Sequence, residues 1–269
     1  VDDRPIGMFD SGFGGLTVAR ALMDLLPDED LVYLGDTGRY PYGPRSQDEV
    51  RQFAYQIASA LVGDYGVKMV VVACNTAAAA ALDLLRFELE VPVVGVIEPG
   101  MRAAISATRN GKVGVIGTVG TIGSGAYQRA AAAQRLPVQL SCAACPGFVE
   151  FVERGDTDSE QVHVLAERLL RPVKEAGVDT LLLGCTHYPF LARTIGDVMG
   201  RDVVLVSSAD ETAFEVRTIL TETGLVRRTP GKCQHRFVSS GDVSVFRDLG
   251  VRFLGPELDR VEAWSWPPS

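Results

Sequence analysis

Asp179-Thr-Leu-Leu-Leu-Gly-Cys-Thr-His-Tyr-Pro-Phe-Leu191 is the stretch that decides how the chain is read. Three leucines lead into Gly184 and Cys185. A short apolar run that ends in small residues has the pattern of a parallel strand buried on both faces. Pro189 suits the first turn of a helix that follows. Cys185 and His187 then sit at the carboxyl end of a strand, where open α/β sheets bind ligands.

A second stretch has the same build. Met69-Val-Val-Val-Ala-Cys-Asn-Thr76 is again an apolar run, a small residue, a cysteine and two polar residues, with an alanine-rich helix behind it. Cys74 and Cys185 are 111 positions apart (185 less 74). The openings correspond as well: Ile6-Gly-Met-Phe-Asp-Ser11 resembles Val113-Gly-Val-Ile-Gly-Thr118, an offset of 107 (113 less 6). Two matches at nearly one offset point to a duplicated α/β unit. A duplicated unit can present two thiols to one cleft from opposite sides. A strand-end cysteine standing alone would be read as core, since free cysteine is among the most buried residue types.

The remaining elements fit this frame. Strands are expected at 5–9, 31–35, 68–73, 93–97, 113–117, 138–141 and 203–206. Helices are expected over 16–26, 46–65, 76–88, 101–109, 124–134, 159–176, 189–199 and 212–222. Glu98-Pro-Gly100 reads as a break where the chain crosses between halves. Gly224–Gly231 reads as a loop. A strand, helix and strand within 235–254 are too short to fold alone, so the chain is expected to return there to the first half. The predicted fold is α/β: two related domains with mostly parallel sheets, pseudo-symmetric, with the site in the cleft between them. The domains are residues 1–97 plus 208–269, and 98–207.

Two loops carry candidate chemistry. Asp10-Ser-Gly-Phe-Gly-Gly15 is a glycine-rich strand-to-helix turn that exposes backbone N–H groups. It lacks the Lys-Ser/Thr of a nucleotide-binding P-loop, and its leading acid would repel phosphate while suiting an ammonium group or a proton. Asp36-Thr-Gly-Arg-Tyr-Pro-Tyr-Gly-Pro-Arg45 is a rigid connector of a kind that often carries binding groups.

Composition narrows the class. The 269 residues are 46% hydrophobic and 22% charged, as in an ordinary globular protein. A net charge of −8 argues against a general nucleic-acid binder. No apolar run reaches the roughly 18 residues that suggest a membrane span, and no signal peptide is expected. Five cysteines, odd and sparse, fit a reducing cytoplasmic setting better than a disulfide scaffold. Cys142 and Cys145 form a CxxC, yet the other close pair, Cys233 and His235, lacks zinc-finger spacing, so no metal is expected.

Two thiols facing across a small-ligand cleft suit proton transfer at a stereocentre. A thiolate on one face removes a proton and a thiol on the other face supplies one. A free cysteine has a pKa of about 8.5, so a nearby base or dipole must favour the thiolate. Asp10, Glu153 and His187 are the available groups. Asn75, Thr76 and Thr186 are short donors suited to holding carboxylates at helix N-termini.

The motifs FDSGFGGL, YPYG, ACNT, CPGFVEFVE and GCTHYP, in this order, resemble those of glutamate racemases, within the aspartate/glutamate racemase family. The resemblance runs from residue 6 to about residue 210. It implies cofactor-independent interconversion of L- and D-glutamate for peptidoglycan synthesis. It further implies that Cys74 and Cys185 are the two acid/base residues, assisted by Asp10, His187 and Glu153. Asp10, Ser11, Tyr42, Gly43, Asn75, Thr76, Thr186 and His187 fall where the family binds substrate. Gly147 and Glu150 depart from the family pattern, which has a bulkier apolar residue and a proline there. Glutamate is the expected partner, with no nucleic acid and no membrane, and the expected assembly is a homodimer. The alternatives are an aspartate racemase of the same family, a non-catalytic amino-acid binder, and a metal hydrolase using Cys74, Cys185 and His187.

Overall fold

The computed structural model describes residues 2–134, 136–228 and 233–266. The chain opens with β1 (Ile6–Asp10), α1 (Leu16–Leu25), β2 (Leu31–Gly35), α2 (Gln47–Gly63), β3 (Met69–Val72), α3 (Asn75–Glu88) and β4 (Val93–Gly95). It continues through α4 (Ile97–Ala107), β5 (Lys112–Gly117), α5 (Val119–Gly123), α6 (Ala126–Ala132), β6 (Gln139–Ala144), α7 (Phe148–Arg154) and α8 (Glu160–Glu175). Next come β7 (Thr180–Gly184), a 3₁₀ turn (Tyr188–Leu191), α9 (Ala192–Met199) and β8 (Val204–Ser207). The last elements are α10 (Ala209–Thr223), β9 (His235–Ser239), α11 (Val243–Leu254) and β10 (Val261–Ala263).

These strands make two sheets, β10-β9-β2-β1-β3-β4 and β6-β5-β7-β8. Every ladder among the described strands is parallel. The order β2-β1-β3-β4 in the first sheet is the order β6-β5-β7-β8 of the second. The duplication glimpsed in the motifs is therefore a duplication of topology. Each sheet reverses its strand order between its first and third strands, and such switch points are where open α/β sheets leave a ligand crevice. The C-terminal strands rejoin the first sheet, with β9 beside β2 and β10 outermost.

The central strands are apolar along most of their length because helices cover both faces, with Asp10 at the end of β1 and Thr180 at the start of β7 as polar exceptions. All residues of β1, β2, β3 and β7 are buried. The edge strands β6 and β8 are only partly covered. Helix α2 starts at a capping box in which the Ser46 hydroxyl accepts from the Glu49 N–H and Glu49 reaches back to the Ser46 N–H.

Three local expectations are corrected. Glu98-Pro-Gly100 is not a break; it lies in the first turn of α4. Pro99 sits where an N–H has no partner within the helix, so proline removes no bond there. Gly100 lets α4 approach the loop before α10, since a Cβ on it would come 2.9 Å from Ser208 Cβ. The helix expected over 124–134 is α6, trimmed to Ala126–Ala132, and a short α5 (Val119–Gly123) that was not expected precedes it, with Gly125 in the left-handed region between them. The segment Val251–Leu254, expected to end the final strand, is the last turn of α11, and that strand lies beyond it at Val261–Ala263. Phe246, Gly250, Phe253 and Leu254 are the buried positions, a helical spacing. The loop expected at Gly224–Gly231 runs into residues outside those described.

Candidate active site

One cleft is lined from both sheets. Asp10 ends β1 and Ser11 follows it, Cys74, Asn75 and Thr76 follow β3, Thr118 follows β5, and Cys185, Thr186 and His187 follow β7. Tyr40, Tyr42 and Gly43 close it from the β2–α2 connection, and Cys145, Pro146, Gly147, Val149 and Glu150 from the β6–α7 corner. The cleft holds about 740 Å³ of space, its mouth included. Among the described residues no lysine or arginine lines it. A carboxylate held there must rely on hydroxyls, amides and helix N-termini.

Cys74 caps α3: its Sγ accepts from the Ala77 N–H at 3.5 Å and lies 3.7 Å from Ser11 Oγ. Burial and the neighbouring Asp10 carboxylate push the Cys74 thiol up to about 12. Asp10 is 1% exposed and accepts the Gly12 N–H at 3.0 Å. Burial raises its pKa against the pull of His187 and those N–H bonds. The first thiol thus rests protonated, next to a buried acid.

Cys185 has different company. Its Sγ lies 3.9 Å from His187 Nδ1, and His187 Nε2 lies 3.2 Å from Glu153 Oε1. Burial disfavours charge on His187, but its bonds to Cys185 and Glu153 outweigh burial and lift it to about 10. The imidazole ring is packed edge-on by Phe253 of α11, with centroids 5.5 Å apart. Two strands that correspond by duplication therefore carry thiols in unlike electrostatic settings.

Short donors cross the gap between the sheets. Thr76 Oγ1 lies 2.9 Å from Thr118 Oγ1 and 3.2 Å from Thr121 Oγ1. Asn75 Nδ2 donates to Tyr127 OH at 2.8 Å, which leaves Asn75 Oδ1 buried without a partner. The Gly120 N–H donates to Gly43 O at 3.0 Å. Glycine is required where the turns meet, since a Cβ on Gly14 would come 2.1 Å from Thr186 Oγ1 and 2.5 Å from His187 Nδ1.

Of the residues singled out in the sequence, Asp10, Ser11, Tyr42, Gly43, Cys74, Asn75, Thr76, Cys185, Thr186 and His187 line this cleft. Glu153 does not line it and reaches it through His187. The Tyr42 hydroxyl donates to the buried Asp36 carboxylate, which also accepts from Arg39 Nε at 2.7 Å and Ser240 Oγ at 2.6 Å. Cys142 and Cys145 are free thiols, and the described residues hold no group of three or more His, Cys, Asp or Glu placed to bind a metal.

Tyr40, Thr118, Thr121 and Tyr127 were missed. Thr118 was within reach, because the duplication pairs it with Ser11. Tyr40 and Tyr127 had no such signal: their bonds join segments 113 and 52 positions apart.

Residues 16–215 match the family model described as Asp/Glu/Hydantoin racemase. The chain is 55% identical to a glutamate racemase of Mycobacterium leprae, over 96% of this chain and 94% of that protein. Its fold is similar to that of the solved glutamate racemase isoform RacE1 from Bacillus anthracis, with a TM-score of 0.91, 42% identity and 98% of each chain covered. It is also similar to the Francisella tularensis glutamate racemase solved with D-glutamate, with a TM-score of 0.92, 34% identity and 99% of each chain covered.

Proposed function

The chain belongs to the Asp/Glu/Hydantoin racemase family, and we propose that it interconverts L- and D-glutamate by proton transfer between Cys74 and Cys185. The observation that carries this reading is the placement of the two thiols. Each follows the third strand of one of two like-ordered sheets, and both line one cleft. A stereocentre held between them is open to a sulfur on either face.

The steps balance without a co-reactant. With L-glutamate, the Cys185 thiolate takes the α-proton; the C–H bond breaks, an S–H bond forms, and the electron pair stays on the α-carbon. The Cys74 thiol then gives its proton to the opposite face, leaving a thiolate there. The enzyme ends in the mirror protonation state and starts from it with D-glutamate. His187, held by Glu153, stabilises charge at Cys185, and Asp10 serves Cys74. The unpartnered Asn75 Oδ1 suits the substrate ammonium group, and Ser11, Thr76, Thr118 and Thr186 suit its carboxylates.

Glutamate is preferred over aspartate in this reading. Donors placed for a distal carboxylate lose their partner when the chain is one methylene shorter, and each buried group left unpaired costs about 1–3 kcal/mol. The product would serve peptidoglycan synthesis. Five free cysteines support a reducing, cytoplasmic setting, and no described helix is long and apolar enough to cross a membrane. A homodimer, and domains of 1–97 plus 208–269 and 98–207, complete the proposal; light scattering and limited proteolysis test them.

The deciding experiment is circular dichroism of L-glutamate incubated with the purified protein and no added cofactor. Decay of the signal to zero is expected. A protein that needs added pyridoxal phosphate or zinc, or that handles aspartate as well as glutamate, overturns the corresponding part of the reading.

A further inference from the structure

Tyr40 has no part in the proton transfers described above. It comes from the β2–α2 connection, yet its hydroxyl donates to Glu153 Oε1 of α7 at 2.5 Å. The same carboxylate oxygen takes His187 Nε2 at 3.2 Å, and His187 Nδ1 faces Cys185 Sγ at 3.9 Å. Tyr40, Glu153, His187 and Cys185 therefore form one line of contacts. Its first member follows a strand of the first sheet, and the other three follow strands of the second. Arg252, the other neighbour that reaches Glu153, bonds its backbone carbonyl at 3.2 Å and leaves the carboxylate to Tyr40 and His187.

The ring of Tyr40 is held in place. It meets Phe13 edge-on at 6.1 Å, and Gly12 lies against it so closely that a Cβ there would come 2.9 Å from Tyr40 Cδ2. Burial and the Glu153 carboxylate raise the phenol well above its ordinary value. It stays a donor throughout the working range. Among the described residues Cys74 has no equivalent line; its neighbours are Ser11, the Ala77 N–H and Asp10.

Resting on the racemase reading, we propose that Tyr40 is a positioning residue for the Cys185 half of the reaction. It fixes the Glu153 carboxylate that orients His187, and it does so from across the cleft. The line is complete only when the two sheets face each other as they do here.

Tyr40→Phe removes one oxygen and keeps the ring. A lost hydrogen bond to a charged group predicts a fall in kcat of about tenfold or more. Because racemisation has an equilibrium constant of one, kcat/KM falls equally in both directions, so the asymmetry is read from isotope effects. With α-deuterated L-glutamate, the isotope effect on kcat/KM should rise, because Cys185 now limits the rate. With α-deuterated D-glutamate it should fall, because the limiting step moves to reprotonation by Cys185. Glu153→Gln should give the same opposed pattern, and the double variant should add little to either. If Tyr40→Phe does not fold, Tyr40→Leu, which also removes the hydroxyl and keeps an apolar side chain against Phe13, is read in its place with the same opposed pattern expected. Unchanged isotope effects, or effects that move together for the two enantiomers, overturn the role of Tyr40. A wild-type protein silent toward glutamate overturns the racemase reading and this inference with it.

Discussion

Cys74 and Cys185 occupy corresponding positions but differ in what they touch, and that difference is testable one side chain at a time. Cys185→Ala should abolish racemisation in both directions, since the second face then has no donor. Cys74 can still remove the α-proton of D-glutamate and return a solvent deuteron to the same face. Cys74→Ala should mirror this with L-glutamate. Proton NMR in deuterated buffer, paired with a chirality assay, reads both, and racemisation near the wild-type rate after loss of either thiol refutes the two-base scheme. His187 gives a pH prediction. Its pKa is raised from 6.5 to about 10 by Cys185 and Glu153 acting against burial. The folded protein therefore keeps a proton that the unfolded chain releases between those values. The stabilisation is fully present below pH 6.5 and is lost as pH rises through 10. Urea unfolding of wild type and His187→Asn should differ most near pH 6 and converge toward pH 10, with a slope of up to about 1.4 kcal/mol per pH unit.

At the scale of elements, the site is made by turns. Cys74, Cys185 and His187 follow a strand by one to three residues, Asp10 ends β1, and Glu153 reaches His187 from α7; the turns after β1 and β7 are small enough to admit each other. Gly14, in the turn after β1, is the closest of these approaches: its added Cβ would overlap Thr186 Oγ1 and His187 Nδ1. Gly14→Ala should push the His187 turn out of line. A misplacement near 1 Å costs on the order of 100-fold in rate. Activity should fall by at least about that factor, while the melting temperature moves little, because both colliding side chains border open space in the cleft. Wild-type kcat/KM in Gly14→Ala would show that the two turns stand farther apart than described.

At the scale of the whole molecule, the first sheet is tied together away from the cleft by one buried ion pair. Lys68 is 0% and Glu29 5% exposed, and their charged atoms lie 2.5 Å apart. Lys68 Nζ also donates to the carbonyls of Asp2 and Leu225 at 2.8 Å, and Glu29 accepts the Arg227 N–H at 2.8 Å. The N-terminal segment, the α1–β2 connection and the chain after α10 thus meet at one charge. Lys68→Met leaves Glu29 buried without its partner, a change that costs about 3–5 kcal/mol. Denaturant unfolding should show that loss, with kcat at 25 °C unchanged, since no group in the cleft bonds to the pair. A loss below about 1 kcal/mol would mean that solvent reaches Glu29.

The sequence by itself determined the parallel strands, the duplication and the two thiols. Apolar runs of four or five residues that end in Cys-Asn-Thr or Cys-Thr-His are local patterns, and local patterns survive in one dimension. The run through Glu98-Pro-Gly100 misled because proline and glycine mark a break in most settings, and only the helix register shows that Pro99 stands where no hydrogen bond is lost. Which acid serves which thiol was not legible. Asp10 and Glu153 are equally acidic on paper; Asp10 meets Cys74 because β1 lies beside β3, and Glu153 meets His187 because α7 packs on the turn after β7. Tyr40 and Phe253 are further still from any local signal, since each reaches the second sheet's residues from an element of the first. Contacts of that kind exist only once the two sheets are set face to face. Their energies are long-range in sequence, and no window of the chain contains both partners.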